Sequence, residues 1–188
     1  MPIRVIAGIA KGRRLKMVPG DSTRPVMDRV KEALFSILGR SVVNAAFLDL
    51  FAGTGSVGIE ALSRGATHTL FVEVDRMALK TIQENLALTK FSEMAEVRRI
   101  DVFALLKQKP AQPFDIIYVA PPQFNDLWLR TLEALEANPL WIPPGTVVIV
   151  QIAPTEQKPV AFKHMQPYDE RRYGKTLLWF FEAIEEVE

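Results

Sequence analysis

Leu48–Leu62, LDLFAGTGSVGIEAL, is the stretch that decides how this chain folds. It runs from an apolar, strand-like AFLDLF through Gly53, Gly55 and Gly58, spaced G-x-G-x-x-G, into a segment whose apolar residues recur at helical intervals. A strand that turns through glycines directly into a helix opens a βαβ unit. Outward from it, the strand-like runs TLFVEV, EVRRI, DIIYVA and TVVIVQI alternate with helical stretches such as RMALKTIQENLALT and LWLRTLEALEAN. That alternation predicts an α/β fold built on a parallel sheet covered on both faces. The tail, VAFKHMQPYDERRYGKTLLWFFEAI, reads instead as two strands joined by a polar turn, an antiparallel pair at the sheet's edge. In front, IRVIA and RLKMV flank GIAKGR as a small hairpin. From Pro25 onward Val26, Val30, Leu34, Ile37 and Leu38 recur at helical spacing, with Pro25 suited to a first turn. Residues 1–40 are therefore expected to form an appendage of hairpin plus helix, and residues 41–188 the main domain.

Composition narrows the function classes. With 188 residues, 48% of them hydrophobic, the chain can bury a substantial core. It has no cysteine, which excludes disulfides, cysteine nucleophiles and thiolate metal sites, and only two histidines, so no metal centre is expected. No apolar run approaches the roughly 18 residues of a membrane span, and MPIRVIAGIAKGRR lacks the features of a signal peptide. A cytoplasmic protein without a membrane partner is the expectation. The net charge of +1 is unevenly spread, because residues 1–40 hold nine Lys or Arg against three Asp or Glu. Basic residues gathered at one end point to a polyanionic partner, the alternative being a solvated basic hairpin.

The glycine turn alone is also a dinucleotide fingerprint, since Glu73 ends the second strand twenty residues after Gly53. A NAD-linked oxidoreductase is thus a competing reading. Asp49 argues against it. It lies four residues before Gly53, where a buried carboxylate would cost several kcal/mol and repel a pyrophosphate. A ligand carrying a sulfonium and an ammonium turns that cost into attraction. S-adenosylmethionine (SAM) fits, with its methionine part along the glycine turn near Asp49 and its ribose hydroxyls on Glu73. Asp101, after the third strand, is placed either to accept from the adenine amino group or to cap the helix VFALLKQ. Asp75 and Arg76 read as the opening of the preceding helix.

Taken in order, these segments resemble the class I SAM-dependent methyltransferases, and most closely the RsmD family, which methylates the N2 amine of a guanine in bacterial 16S ribosomal RNA. The resemblance runs through IRVIAGIAKGRRLKMV, STRPVMDRVKEALFSIL, FLDLFAGTGSVGIEALSRGA, FVEVDR and RRYGKTLLWFF. TRPVMDRVKEALF is the most family-specific of them. The resemblance implies a Rossmann-like seven-stranded sheet with its last strand antiparallel, and a cofactor site of Asp49, Phe51, Gly53, Gly55, Glu73 and Asp101. It implies ribosomal RNA, or an assembling small subunit, as partner, gripped through Arg13, Arg14 and Lys16, with Arg24 lining the cleft. Trp179, Phe180 and Phe181 read as core rather than as a stacking platform.

One stretch departs from that pattern. In the family, the motif after the fourth strand reads Asp or Asn, Pro, Pro, aromatic; here it is Ala120, Pro121, Pro122, Gln123, followed by Phe124. An exocyclic guanine amine is conjugated to its ring and is a poor nucleophile until its hydrogens are drawn by two acceptors. Ala120 supplies no side-chain acceptor, and loss of one such oriented bond commonly costs about 10²- to 10³-fold in rate. The backbone carbonyls at 120 and 121 remain, held by the prolines. Gln123 offers an amide oxygen, and Phe124 an aromatic face for a flipped base. A SAM-binding protein with weak or no transferase activity is the alternative, alongside a DNA or protein-glutamine methyltransferase and a catalytically silent RNA-binding protein.

Overall fold

The structure, a computed structural model, describes residues 3–20 and 26–186. The chain divides into two compact units, Met1–Asp101 and Val102–Glu188. The first carries α1 (Asp28–Leu38), β1 (Ala46–Asp49), α2 (Ser56–Ser63), β2 (His68–Glu73), α3 (Arg76–Thr89) and β3 (Ala95–Arg99). Here β1 pairs with β2 and β2 with β3, both in parallel. The second carries α4 (Val102–Leu106), β4 (Ile116–Val119), α5 (Leu127–Ala137), β5 (Val147–Ile152), β6 (Met165–Tyr173) and β7 (Thr176–Ala183). In it β4 and β5 are parallel, while β7 runs antiparallel to both β5 and β6. The strands order as β3-β2-β1-β4-β5-β7-β6 in a seven-stranded sheet. This is the expected class I methyltransferase architecture, with the last strand antiparallel. No helix among the described residues is long and apolar enough to cross a membrane.

The strand interiors explain themselves. Every residue of β4 is buried, as are the middle four of β2, because parallel strands are covered on both faces and neither face is left for polar side chains. β6 is the reverse. Most of its nine residues are exposed, its sequence carries Asp169, Glu170, Arg171 and Arg172, and its register breaks at Pro167/Asp169, all devices that blunt an edge strand. Trp179, Phe180 and Phe181 of β7 are buried, as core residues should be.

The N-terminal segment keeps only part of the expected hairpin. Arg4 and Arg14 form a single antiparallel bridge, supported by Val5 N–H to Arg13 C=O (2.9 Å) and Leu15 N–H to Ile3 C=O (2.9 Å). The second arm then turns away, because the Asn85 side chain of α3 takes over the Lys16 backbone, accepting from its N–H at 2.7 Å and donating to its C=O at 3.1 Å. The helix expected from Pro25 begins at Asp28; Pro25 itself lies outside the described residues.

What fixes this segment is Glu60 on α2. Its carboxylate is wholly buried and accepts from the N–H of Ile6 (2.9 Å), the N–H of Ala7 (3.0 Å) and Arg64 Nε (2.8 Å). The buried Lys31 of α1 stands 3.5 Å away and donates to the Arg4 carbonyl at 2.6 Å. Burial pulls the Lys31 pKa down, and Glu60 pulls it back. Ser63, one turn after Glu60, accepts from Ala10 N–H and donates to Ala7 C=O, completing the seam.

Glu60→Ala should therefore destabilise the protein by about 3–5 kcal/mol, the usual result of stripping one partner from a buried ion pair. Lys31→Met should cost less, because Arg64 and two N–H groups still neutralise the carboxylate. Urea unfolding of the two variants tests the order; the reverse order would show Lys31 to be the hub.

Candidate active site

At the end of β1, apolar up to Asp49, the chain must enter α2 within a few residues. Gly53 and Gly55 make this possible by adopting φ of +56° and +78°. Gly55 is the N-cap of α2 and is itself confined, since an added Cβ would lie 3.3 Å from Ile82; around Gly53 there is open space. Gly58 serves packing, because a Cβ there would meet the Phe71 ring at 2.3 Å. The turn is pinned from two sides. Asn85, fully buried, donates to Thr54 C=O at 2.9 Å, and Glu73 at the end of β2 accepts from Gly53 N–H at 2.9 Å. The other Glu73 oxygen accepts from the N–H groups of Val74 and Asp75. Asp75 caps α3 by accepting from Ala78 N–H, the helix-opening role read for it.

Asp49 closes β1 at 1% exposure, and its Oδ1 has no hydrogen-bond partner among the described residues. Burial, and then the negative charge of Glu73, push its pKa up to about 7, while the backbone at Gly58 and Phe51 holds it down. A buried acceptor left short of a donor beside an open glycine turn is the feature a cationic ligand would satisfy. Phe51 is half-buried in the turn, and Asp101 is exposed ahead of α4.

In the second unit, β4 ends at Val119 and runs into Ala120-Pro121-Pro122-Gln123. Pro121 is buried, Ala120 partly exposed, and Gln123 and Phe124 are exposed. Phe124 has φ +63° and is 70% exposed, yet its N–H donates to Glu156 Oε1 at 2.7 Å. Glu156, only 7% exposed, also accepts from Ala153 N–H, and Lys158 pairs with Asp126 at 2.7 Å. Gln123 contributes only its backbone C=O, which accepts from Asn125. Tyr118, two residues before Ala120, donates its hydroxyl to Gln151 Oε1 of β5 at 2.6 Å.

The basic candidates separate. Arg13 and Arg14 are exposed and carry no ion pair among the described residues, whereas Lys16 Nζ is engaged by Glu84 at 2.9 Å. Arg24 lies outside the described residues. No cluster of three or more His, Cys, Asp or Glu able to hold a metal occurs among them.

The family described as conserved hypothetical protein 95 matches residues 3–182. The ribosomal RNA small subunit methyltransferase D of Haemophilus influenzae is 38% identical over 79% of this chain and 78% of its own length. The chain belongs to the RsmD family. The solved structure of Escherichia coli yhhF superposes with a TM-score of 0.87 at 32% identity, covering 98% of this chain and 99% of that one. At 15% identity and a TM-score of 0.68, an RNA methyltransferase of Salinibacter ruber in complex with S-adenosyl-L-homocysteine shares the fold, covering 88% of this chain and 97% of that one.

Residues outside the motifs brace the glycine turn in the first unit and the segment after β4 in the second. Asn85, Glu156 and the Tyr118–Gln151 pair escape sequence reasoning. Asn85 could have been found as an amide on the face that buries Ala78, Ile82 and Leu86. Gln151 bonds to a partner 33 residues away, and Glu156, besides its local bond to Ala153, reaches Phe124 across 32 residues.

The Asp49 shift makes a pH prediction for the ligand-free protein. Below about pH 4 both folded and unfolded states hold the proton. Between there and about 7 only the folded state does, so stability falls as pH rises and levels off above 7. Asp49→Asn should remove this slope and gain on the native chain by up to a few kcal/mol between pH 4 and 8. Parallel melting curves across that range would contradict a buried, titrating Asp49.

Proposed function

We propose that the chain transfers a methyl group from SAM to the exocyclic N2 amine of a guanine in small-subunit ribosomal RNA. The observation that carries this reading is Asp49 Oδ1, buried, without a donor among the described residues and beside the glycine turn. A pyrophosphate would add negative charge to that carboxylate; a sulfonium and an ammonium supply what it lacks, and this disfavours the NAD reading. The name of the Haemophilus influenzae relative supports the reaction class and the RNA, and the S-adenosyl-L-homocysteine held by the Salinibacter ruber neighbour supports the cofactor.

When bound, SAM supplies an electrophilic methyl on a cationic sulfur. Asp49 balances the ligand's positive charge and the open space over Gly53 admits its backbone. Glu73, Phe51 and Asp101 are assigned to the nucleoside part. Glu73 already accepts three N–H bonds, which hold its carboxylate in place and leave it limited capacity for ribose hydroxyls. In the second unit, the carbonyls of Ala120 and Pro121 draw an amine hydrogen and so align the nitrogen lone pair for attack. SAM held there would supply the methyl to the nitrogen and leave as the neutral thioether, and the amine would lose one proton to solvent. Phe124 offers its exposed ring to the extruded base. Arg13 and Arg14 supply the phosphate contacts, with Lys16 contributing less because Glu84 holds it.

A second reading has one observation in its favour: Ala120 lacks the acceptor of the family motif, as a SAM-binding protein of weak or absent activity would. The direct test is transfer of tritium from labelled SAM to ribosomal RNA, DNA and protein fractions, with nucleoside analysis of the product. N2-methylguanosine in the small-subunit RNA is expected; label in DNA or protein alone, or none, would refute the assignment.

Asp49→Asn and Glu73→Ala should each weaken SAM binding by roughly 1.5–3 kcal/mol, about ten- to a hundredfold or more, without unfolding the protein. Calorimetry checks this, and unchanged affinity in both would remove the cofactor assignment. Arg13→Ala with Arg14→Ala should weaken RNA binding regardless of sequence. It should also flatten the plot of log affinity against log salt by up to about 0.7–0.9 for each phosphate no longer neutralised. An unaltered slope would return both arginines to solvated charge.

A further inference from the structure

The family motif places a side-chain acceptor where this chain has Ala120, and the register of the second unit shows what stands beside that position. Val119, the last residue of β4, lies opposite Val150 of β5; the residues that follow are Ala120, just past the end of β4, and Gln151, still within β5. Side chains alternate along a strand, so Gln151 shares a face with Ile149, whose partner is Tyr118, and Ala120 falls on the Tyr118 side. The bond from Tyr118 OH to Gln151 Oε1, 2.6 Å long, shows that the Gln151 amide does lie on that face. Tyr118 is 1% exposed while Gln151 is only half-buried. The amide is thus anchored from the interior on a residue that keeps some exposure, at the end of the strand that runs beside β4.

We infer that Gln151, held by Tyr118, supplies the amine acceptor that Ala120 lacks. The inference rests on the methyltransferase reading above and names the residue that completes it. An amide oxygen has two lone pairs; the Tyr118 hydroxyl uses one, and its donation polarises the carbonyl while leaving the other for an amine hydrogen. Gln123, the acceptor suggested by sequence order, is in a weaker position. It is exposed on the turn, and no side-chain hydrogen bond orients it among the described residues, so substrate binding would have to freeze its rotamers. An oriented acceptor is the kind that contributes to rate.

The test is single-turnover transfer from tritiated SAM to small ribosomal subunits and to their 16S RNA. Gln151→Leu should slow transfer by about 10²-fold, with SAM affinity, RNA affinity and melting temperature little changed. Adding Ala120→Asp to Gln151→Leu should recover much of the loss, because it restores an acceptor on the neighbouring strand. A residue with only a structural role would not be rescued in this way. Gln151→Leu strands the Tyr118 hydroxyl, so the pair Tyr118→Phe with Gln151→Leu guards against misfolding; it should be as slow as Gln151→Leu alone. A native rate in Gln151→Leu, or a loss that Ala120→Asp fails to restore, would overturn the inference while the methyltransferase reading stands. Absence of transfer by the native chain would overturn both.

Discussion

Glu60 is a carboxylate without exposed surface, and the N-terminal segment, α1 and α2 meet at it. Two backbone N–H groups of the N-terminal segment, the Arg64 guanidinium and the Lys31 ammonium converge on its two oxygens. A buried ion pair is seldom a net source of stability, because desolvating both charges offsets their attraction. Its value here is positional. Ile6, Ala7 and Ala10 satisfy Glu60 and Ser63 together, so the basic segment is seated on α2, the same helix whose first turn follows Gly55. The arginines read as an RNA grip thus ride on the helix that opens from the glycine turn, and Asn85 binds both the Lys16 backbone and Thr54 of that turn.

Against this well-satisfied seam, Asp49 stands out. Glu60 is buried among donors that stabilise its charge, whereas Asp49 is as deeply buried with Oδ1 unpaired and with a second carboxylate, Glu73, raising its pKa further. The contrast separates two uses of a buried acid. The first is satisfied entirely within the fold. The second keeps one oxygen open, and the backbone at Gly58 and Phe51 offsets only part of the cost of burying its charge. Glu73 lies between them, since it braces Gly53 and keeps only part of its accepting capacity.

The fold was largely legible in the sequence because its signals are local. A strand, two glycines at positive φ and a helix follow one another within LDLFAGTGSVGIEAL, and α3 spans the same Arg76–Thr89 that its apolar spacing outlines. The N-terminal segment was less legible. RLKMV alternates like a strand, yet Lys16 bonds to Asn85, and nothing near Lys16 in sequence announces that competitor. The site divides in the same way. Asp49, Gly53 and Glu73 stand at fixed distances from one another along the chain, so a motif reveals them. Gln151 becomes a neighbour of Ala120 only through the pairing of β4 with β5, and Glu156 reaches Phe124 across 32 residues. Such pairings are set by register, which a linear reading does not contain.

The same logic explains why Phe124 keeps an uncommon backbone. A left-handed φ of +63° costs a non-glycine residue roughly 1–2 kcal/mol, and an exposed phenylalanine has no burial of its own to offset it. A hydrogen bond to a charged group contributes about 1.5–3 kcal/mol, and Glu156 provides one to the Phe124 N–H from a buried position. The balance favours the strained turn by a small margin. It turns on the carboxylate being desolvated, because the same bond at an exposed site would be worth less. Asp126 is left-handed as well, at φ 51°, and is tied by Lys158 from the same segment. The exposed Lys158–Asp126 pair can add little energy, so Glu156 is the member that decides whether the aromatic ring after the two prolines stays presented to solvent.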